Sequence, residues 1–371
     1  MAKIFISVGD PSADAHAARL MRVLKARRPD LEFIGLGGPA MQAQGLQSLV
    51  PFESLSVVGF WEVVKKYAFF RSVLRRCKKV LQEQQPDLFL PIDFPGFNLR
   101  LATFARKLRI PTIYYIAPQL WAWGKQRAQT LANSVDLLLV VFPFEEAFFT
   151  QLGVPALYVG HPLLDDPQFA ALPRRFEYRD DTIVLMPGSR PQELAHHLPL
   201  MLQTATILAS YLPELSFTIV KPETLPLESY IPYFRSYEHL ELEFASTASQ
   251  ALQWAKAAII KAGTSTLEAA VLLTPFVTVY KTSALSYRIG KWLVNVPHIT
   301  LVNILLQQAV VPEFIQDEAQ PKAIAESVLS ILTNSEYRSL FLSQFQQLRA
   351  TLGGSGATET VADVILGRLA Q

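Results

Sequence analysis

The 371-residue chain carries one cysteine, Cys77. An internal disulfide is therefore excluded, and a reducing compartment fits. No segment reaches the roughly 20 uninterrupted apolar residues that a bilayer-spanning helix needs. The apolar run after Lys3 is too short for a signal peptide and has no small-residue cleavage pattern behind it. A cytoplasmic protein, soluble or peripherally bound, is the expectation. The formal net charge is only +2, from 34 Lys and Arg against 32 Asp and Glu. Charge over the whole length thus argues for no particular partner, and no nucleic acid is expected. There is no Asp-x-Asp motif and no histidine cluster, so neither a metal nor another cofactor is expected.

Half of the residues are hydrophobic, ample for two packed cores of roughly 150 to 200 residues each. Apolar strands alternate with helical periodicity throughout, which argues for α/β domains with parallel, doubly wound sheets. Strands are expected over Lys3–Val8, Leu31–Leu36, Asp87–Ile92, Pro111–Ile116 and Val135–Phe142, then over Ser216–Val220, Ala257–Lys261 and Phe276–Tyr280. A charged, proline-containing stretch from about Asp165 to Asp181 reads as the linker. The boundaries are 1–165, 166–345 and a tail of 346–371, whose final helix, from about Thr358 to Leu369, is able to cross back to the first domain.

Val184-Leu185-Met186-Pro187-Gly188-Ser189-Arg190 reads as a buried strand turning sharply into a helix over Pro191–Tyr211. Free N–H groups and the positive end of a helix dipole make such a turn an anion site. Arg190 adds a planar cation suited to phosphate oxygens; a plain turn with a solvated arginine is the bland alternative. A second turn, Ala262-Gly263-Thr264-Ser265-Thr266, follows the strand ending at Lys261. Gly263 permits close backbone approach, Thr264 or Ser265 caps the helix, and Glu268 lies where a carboxylate could accept two ribose hydroxyls. Two such turns in one domain favour a nucleotide-sugar donor. Asn303, alone in an apolar run, belongs either to the site or to a backbone clamp, since a buried amide must be hydrogen-bonded.

In the first half, Gly9-Asp10-Pro11-Ser12-Ala13-Asp14 forms a strand-to-helix loop at the carboxyl end of the first strand, where open α/β sheets bind ligands. Ser12 is the expected cap of a helix beginning near Ala15, with Asp10 or Asp14 on its first turn. Asp93 sits at a strand tip before Phe94-Pro95-Gly96-Phe97-Asn98, placed like a general base, with a turn cap as the alternative. Trp121 and Trp123 offer a platform for a sugar or acyl chain, or pack their loop. His161 is a candidate for a phosphate or hydroxyl contact between the domains, or an interface histidine without chemistry. From Phe60 to Leu81 apolar and aromatic residues recur at helical spacing, while Lys65, Lys66, Arg71, Arg75, Arg76, Lys78 and Lys79 fill much of the rest and only Glu62 is acidic. Such a segment, about 57–81, lies on an anionic membrane or is a core-facing helix with a solvated basic face.

Taken together, Gly37-Gly38-Pro39-Ala40-Met41, Val58 to Val63, Ile92 to Asn98, Pro118 to Trp123, Gly160-His161-Pro162, Pro187 to Arg190, Gly263 to Glu268 and Asn303-Ile304 resemble the bacterial lipid-A-disaccharide synthases. These are B-type glycosyltransferases, and the resemblance runs nearly end to end. It implies two Rossmann-like domains facing a cleft, the first binding the acceptor and the second the UDP-sugar. The implied substrates are UDP-2,3-diacylglucosamine and 2,3-diacylglucosamine 1-phosphate, joined with inversion at the inner-leaflet surface; a homodimer is left open. Asp93 matches the family's essential aspartate, Arg190 its donor-phosphate arginine, Asn303 another functional position and Glu268 a ribose-binding acid. The first loop departs from the family's Gly-Glu-x-Ser-Gly-Asp at Asp10 and Ala13, and Val302 replaces a proline. These departures bear on the acceptor and keep three alternatives open: another UDP-sugar transferase, an epimerase, or a non-catalytic nucleotide-sugar or lipid-binding protein.

Overall fold

A computed structural model of the chain describes residues 2–55, 67–122, 127–171, 173–222, 225–284, 287–288 and 297–370. The chain divides into two compact units: Met1–Asp165 with Leu352–Gln371, and Asp166–Thr351.

In the first unit, β1 (Lys3–Ser7), β2 (Glu32–Leu36), β3 (Leu46–Ser48) and β4 (Leu88–Pro91) pair in the order β3-β2-β1-β4. Beside them lie β5 (Ile113–Tyr115), β6 (Leu137–Val140) and β7 (Ala156–Tyr158). Parallel bridges from Phe89 to Thr112 and from Ile92 to Tyr115 join β4 to β5. All pairings are parallel. Ile4, Phe5, Ile6, Leu88, Phe89 and Leu90 have no exposed surface, as expected for strands of a sheet covered by helices on both faces. The winding direction reverses between β1 and β4.

The second unit repeats the plan with β8 (Asp180–Met186), β9 (Ser216–Val220), β10 (Leu242–Ala245), β11 (Ala255–Lys261), β12 (Phe276–Tyr280) and β13 (Glu313–Ile315). Their order is β10-β9-β8-β11-β12-β13, again wholly parallel. Here the reversal falls between β8 and β11. In open α/β sheets the crevice beyond the strand ends at such a reversal is where ligands bind.

The last helix, Ala357–Leu369, is part of the first unit. The Asp165 carboxylate accepts from the backbone N–H groups of Gly356, Ala357 and Thr358 at 2.6, 3.1 and 2.6 Å. A carboxylate at a helix N-terminus satisfies orphan donors and complements the dipole. Arg27 pairs with Glu359 and Asp363 further along the same helix.

The first helix runs Pro11–Arg27, not from Ala15, because Asp10 rather than Ser12 is its cap: Asp10 Oδ1 accepts from Ser12 N and Ala13 N at 3.0 Å each. Pro11, with no N–H to satisfy, suits the first helical position. Of the basic amphipathic segment, residues 56–66 lie outside the described ones. The described part is the helix Tyr67–Gln84, which buries Val73, Cys77 and Leu81. Arg71, Arg75, Arg76 and Lys79 are exposed, and Tyr67, expected on the apolar stripe, is 56% exposed. Burial pushes the Cys77 thiol up to about 12, which leaves it inert at neutral pH. Trp123 is also outside the described residues. Among the described residues no helix is long and apolar enough to cross a membrane.

Candidate active site

The turn after β8 is built around one glycine. Gly188 has φ of +116°, and a Cβ there would stand 2.4 Å from Glu193 Oε2. The position therefore excludes side chains on both conformational and steric grounds. Glu193 is tucked back against the turn: it accepts from Ser189 N at 3.0 Å, from Arg190 Nη1 at 3.3 Å and from Lys261 Nζ at 2.9 Å. Burial alone would raise its pKa, but Lys261, Arg190 and the Ser189 N–H outweigh burial and hold it below the usual value. It remains ionised at neutral pH.

The turn after β11 carries Gly263, and the hydroxyl of Thr266 closes it by donating to Gly263 O at 2.7 Å. Glu268, one turn on, is pushed up to about 7 by burial, with the Asp166 charge adding to the effect. The two turns border one cavity of about 550 Å³, lined by Gly188 to Arg190, Glu193, Lys261, Gly263 to Ser265 and Glu268. Its size is that of a site for a nucleotide-sized molecule. It lies at the reversal between β8 and β11.

The first unit presents Asp93 at its own reversal, beyond β4. Asp93 and Phe94 have φ of +46° and +53°. Two successive non-glycine residues in the left-handed region cost of order 1–3 kcal/mol each and persist only where the surroundings impose them. The clamp is visible: the Asp93 carbonyl accepts from Asn98 Nδ2 at 2.8 Å and from the Tyr114 hydroxyl at 2.6 Å. Asn98, fully buried, is fixed in turn by Ser7, whose hydroxyl donates to Oδ1 at 2.7 Å and whose carbonyl accepts from Nδ2 at 3.1 Å. With the backbone held, the carboxyl is left to its surroundings. Burial, then the charge of Asp10, pushes it up to about 6 against the opposing Phe94 N–H. It is a carboxylate just above that pH, poised to take a proton.

Several expected site residues have their polar groups engaged elsewhere. Asn303 is fully buried. Its amide donates to Val311 O and Glu313 Oε1 and its oxygen accepts from Val310 N and Val311 N, at 2.8 to 3.0 Å. It is the backbone clamp, not a lining residue of the cavity. Asp14, expected on the first loop, is buried and accepts from the N–H groups of Gly38, Ala40 and Met41. Ser12 is exposed beside the Asp10 cap. Thr266 is buried and absent from the cavity wall. The Trp121 indole donates to Glu145 Oε1 at 2.9 Å and its ring meets Phe144 edge-on, so it props its loop. His161 rests against Phe142 and its Nδ1 accepts from Leu163 N at 3.2 Å. Burial, with His16 nearby, pushes it down to about 3 despite Asp165, leaving a neutral ring.

Glu193, Lys261, Asn98 and Tyr114 were not singled out from the sequence. Glu193 occupies the third helical position after the Arg190 cap, where a glutamate commonly folds back onto the preceding turn. Lys261 follows the apolar run Ala257–Ile260 at the end of its strand. Those were the only signals available.

The family described as lipid-A-disaccharide synthetase matches residues 4–355. The lipid-A-disaccharide synthase of Anaeromyxobacter sp. (strain K) is 39% identical over 375 residues, covering 98% of this chain and 97% of that protein. The chain belongs to the lipid-A-disaccharide synthase family. It is a glycosyltransferase with the B-type fold. Among solved structures it resembles the glycotransferase of kitacinnamycin, with TM-score 0.64 at 15% identity over 99% of this chain and 98% of that one. It also resembles the UDP-GlcNAc 2-epimerase of Neisseria meningitidis bound to UDP-GlcNAc, with TM-score 0.63 at 11% identity over 99% and 100%. At such identities the likeness speaks of fold alone. Asp10, where the first loop departs from the motif that the resemblance implies, has its carboxylate engaged as the cap of the first helix.

Proposed function

We propose that the chain transfers 2,3-diacylglucosamine from UDP-2,3-diacylglucosamine to the 6-hydroxyl of 2,3-diacylglucosamine 1-phosphate. The products are the β-1,6 disaccharide 1-phosphate and UDP. The observation that carries the reading is the cavity at the β8–β11 reversal, where the glycine turn at Gly188, the Arg190 guanidinium and the Glu268 carboxyl line one space. Its residues suit diphosphate and ribose. Asp93 accepts the proton of the acceptor hydroxyl as that oxygen attacks the anomeric carbon. The bond from that carbon to the diphosphate oxygen breaks, the configuration inverts, and the electron pair leaves with UDP. Arg190 stabilises the growing negative charge on the leaving group.

Both substrates carry acyl chains, so the enzyme must work at a lipid surface. The exposed Arg71, Arg75, Arg76 and Lys79 supply attraction to anionic lipid of the inner leaflet. On the same helix Phe70 approaches Phe94, with ring centres 6.2 Å apart, and Phe94 stacks on Phe97 at 5.3 Å. This aromatic run connects the basic helix to the loop that carries Asp93.

Incubation with the two substrates followed by mass spectrometry tests the reading. The disaccharide 1-phosphate and an equal amount of UDP are expected. Release of UDP without disaccharide, or epimerised donor as the product, would overturn it.

A further inference from the structure

Lys261 closes β11 and lines the cavity. The side chain is 19% exposed, and Nζ lies 2.9 Å from Glu193 Oε1. The same nitrogen lies 3.8 Å from the point a Cβ on Gly263 would occupy. One cation is therefore bonded to the Glu193 that braces the Gly188 turn and faces the open side of Gly263, so it stands beside both turns that border the cavity. Glu193 neutralises only one of the two cations that it binds, Lys261 and Arg190, while Glu268 stands further along the same wall.

We propose that Lys261 is a ligand of the donor's diphosphate and that Glu193 is the positioning residue that holds its ammonium between the turns. This deepens the donor-site reading above and rests on it. An ammonium has three donors. One bond to Glu193 fixes its place, and two remain for non-bridging phosphate oxygens. A strongly hydrated ammonium on a four-carbon stem would otherwise sample many rotamers. Tethering it in advance lowers the ordering cost at binding. Lys261, at the end of β11, and Arg190, in the turn after β8, then contact the diphosphate from the two sides of the reversal, and the pair recognises charge rather than the base or the sugar.

Calorimetric titration of the full chain with UDP and with uridine tests the assignment. The wild type should bind UDP more tightly than uridine. Lys261→Gln should lower UDP affinity about tenfold, the loss of one charge-assisted contact, while uridine affinity stays within about twofold. Lys261→Arg should restore most of the preference. The double variant Glu193→Gln/Lys261→Gln keeps an uncharged hydrogen-bonded pair and carries the test if Lys261→Gln does not fold. UDP binding within about twofold of wild type in a folded Lys261→Gln or double variant overturns the assignment and leaves the donor site standing. A wild-type chain that binds no UDP overturns the donor-site reading, and this assignment with it.

Discussion

The side-chain amide of Asn98 holds the backbone carbonyl of Asp93 at 2.8 Å, while Ser7 on the neighbouring strand holds Asn98. The residue proposed as the base is thus fixed through its main chain, and the clamp engages its carbonyl, not its carboxyl oxygens. Asn98→Ala removes this tether and leaves the buried Ser7 hydroxyl without its acceptor. Turnover should fall by about 10- to 100-fold, the scale of a displacement of about 1 Å in a preorganised site. The KM for the UDP-sugar should hardly move, because the donor turns belong to the other unit. Stability should drop by about 1–3 kcal/mol. Steady-state kinetics and thermal melts check both.

The elevated Asp93 pKa has consequences of opposite sign for activity and stability. The base form is lost as pH falls through about 6, so kcat/KM should titrate there, well above an ordinary aspartate. For stability, a carboxyl whose folded pKa is raised contributes fully below its unfolded pKa and loses that contribution as pH rises through the folded value. The ionised carboxylate is therefore a burden at pH 8. Asp93→Asn keeps the carbonyl clamp and removes the charge, so it should melt higher than wild type at pH 8. The gain should shrink towards pH 4. Melting curves across that range decide it.

Gly188→Ala forces a methyl against Glu193 in a conformation that side chains rarely adopt. The strain of order 1–3 kcal/mol would be relieved by moving Glu193, which disturbs both cations it binds. Loss of at least about tenfold in UDP affinity, with a lowered melting temperature, is the expected pair of results. Calorimetry and a melt read them out.

Reversal of Arg71, Arg75, Arg76 and Lys79 to glutamate should weaken co-sedimentation with anionic vesicles, each charge being worth about 1 kcal/mol near the surface. These side chains are exposed while Val73, Cys77 and Leu81 are buried. The helix should therefore remain folded, as circular dichroism would show. Neutral vesicles should show little difference between the two proteins.

The strand-to-helix turns were legible because they are local. An apolar run, a glycine and a charged residue within a few positions tell where Asp93 and Arg190 stand. Parallel pairing follows from the alternation of strands and helices, whereas the strand order that places the two winding reversals beside β1 and β8 does not. What the sequence concealed is which polar groups are already partnered. Asp14 meets Gly38, and Lys261 meets Glu193 across 68 positions. Asn303 looked exceptional in its apolar run for a sound physical reason, since a buried amide must bond, but every bond it makes is internal. Asn98 lay inside a noted motif and gave no sign of its role, because only the fold of β1 and β4 side by side brings Ser7 to it.

The proposed disaccharide synthesis turns on removal of the acceptor proton by Asp93. The most direct measurement is the rate of disaccharide 1-phosphate formation by wild type and Asp93→Asn at pH 8, by mass spectrometry on protein shown to be folded. A rate lower by about 100- to 10,000-fold, the range of a lost general base, is expected in Asp93→Asn, with UDP affinity intact. Turnover near that of the wild type would contradict it.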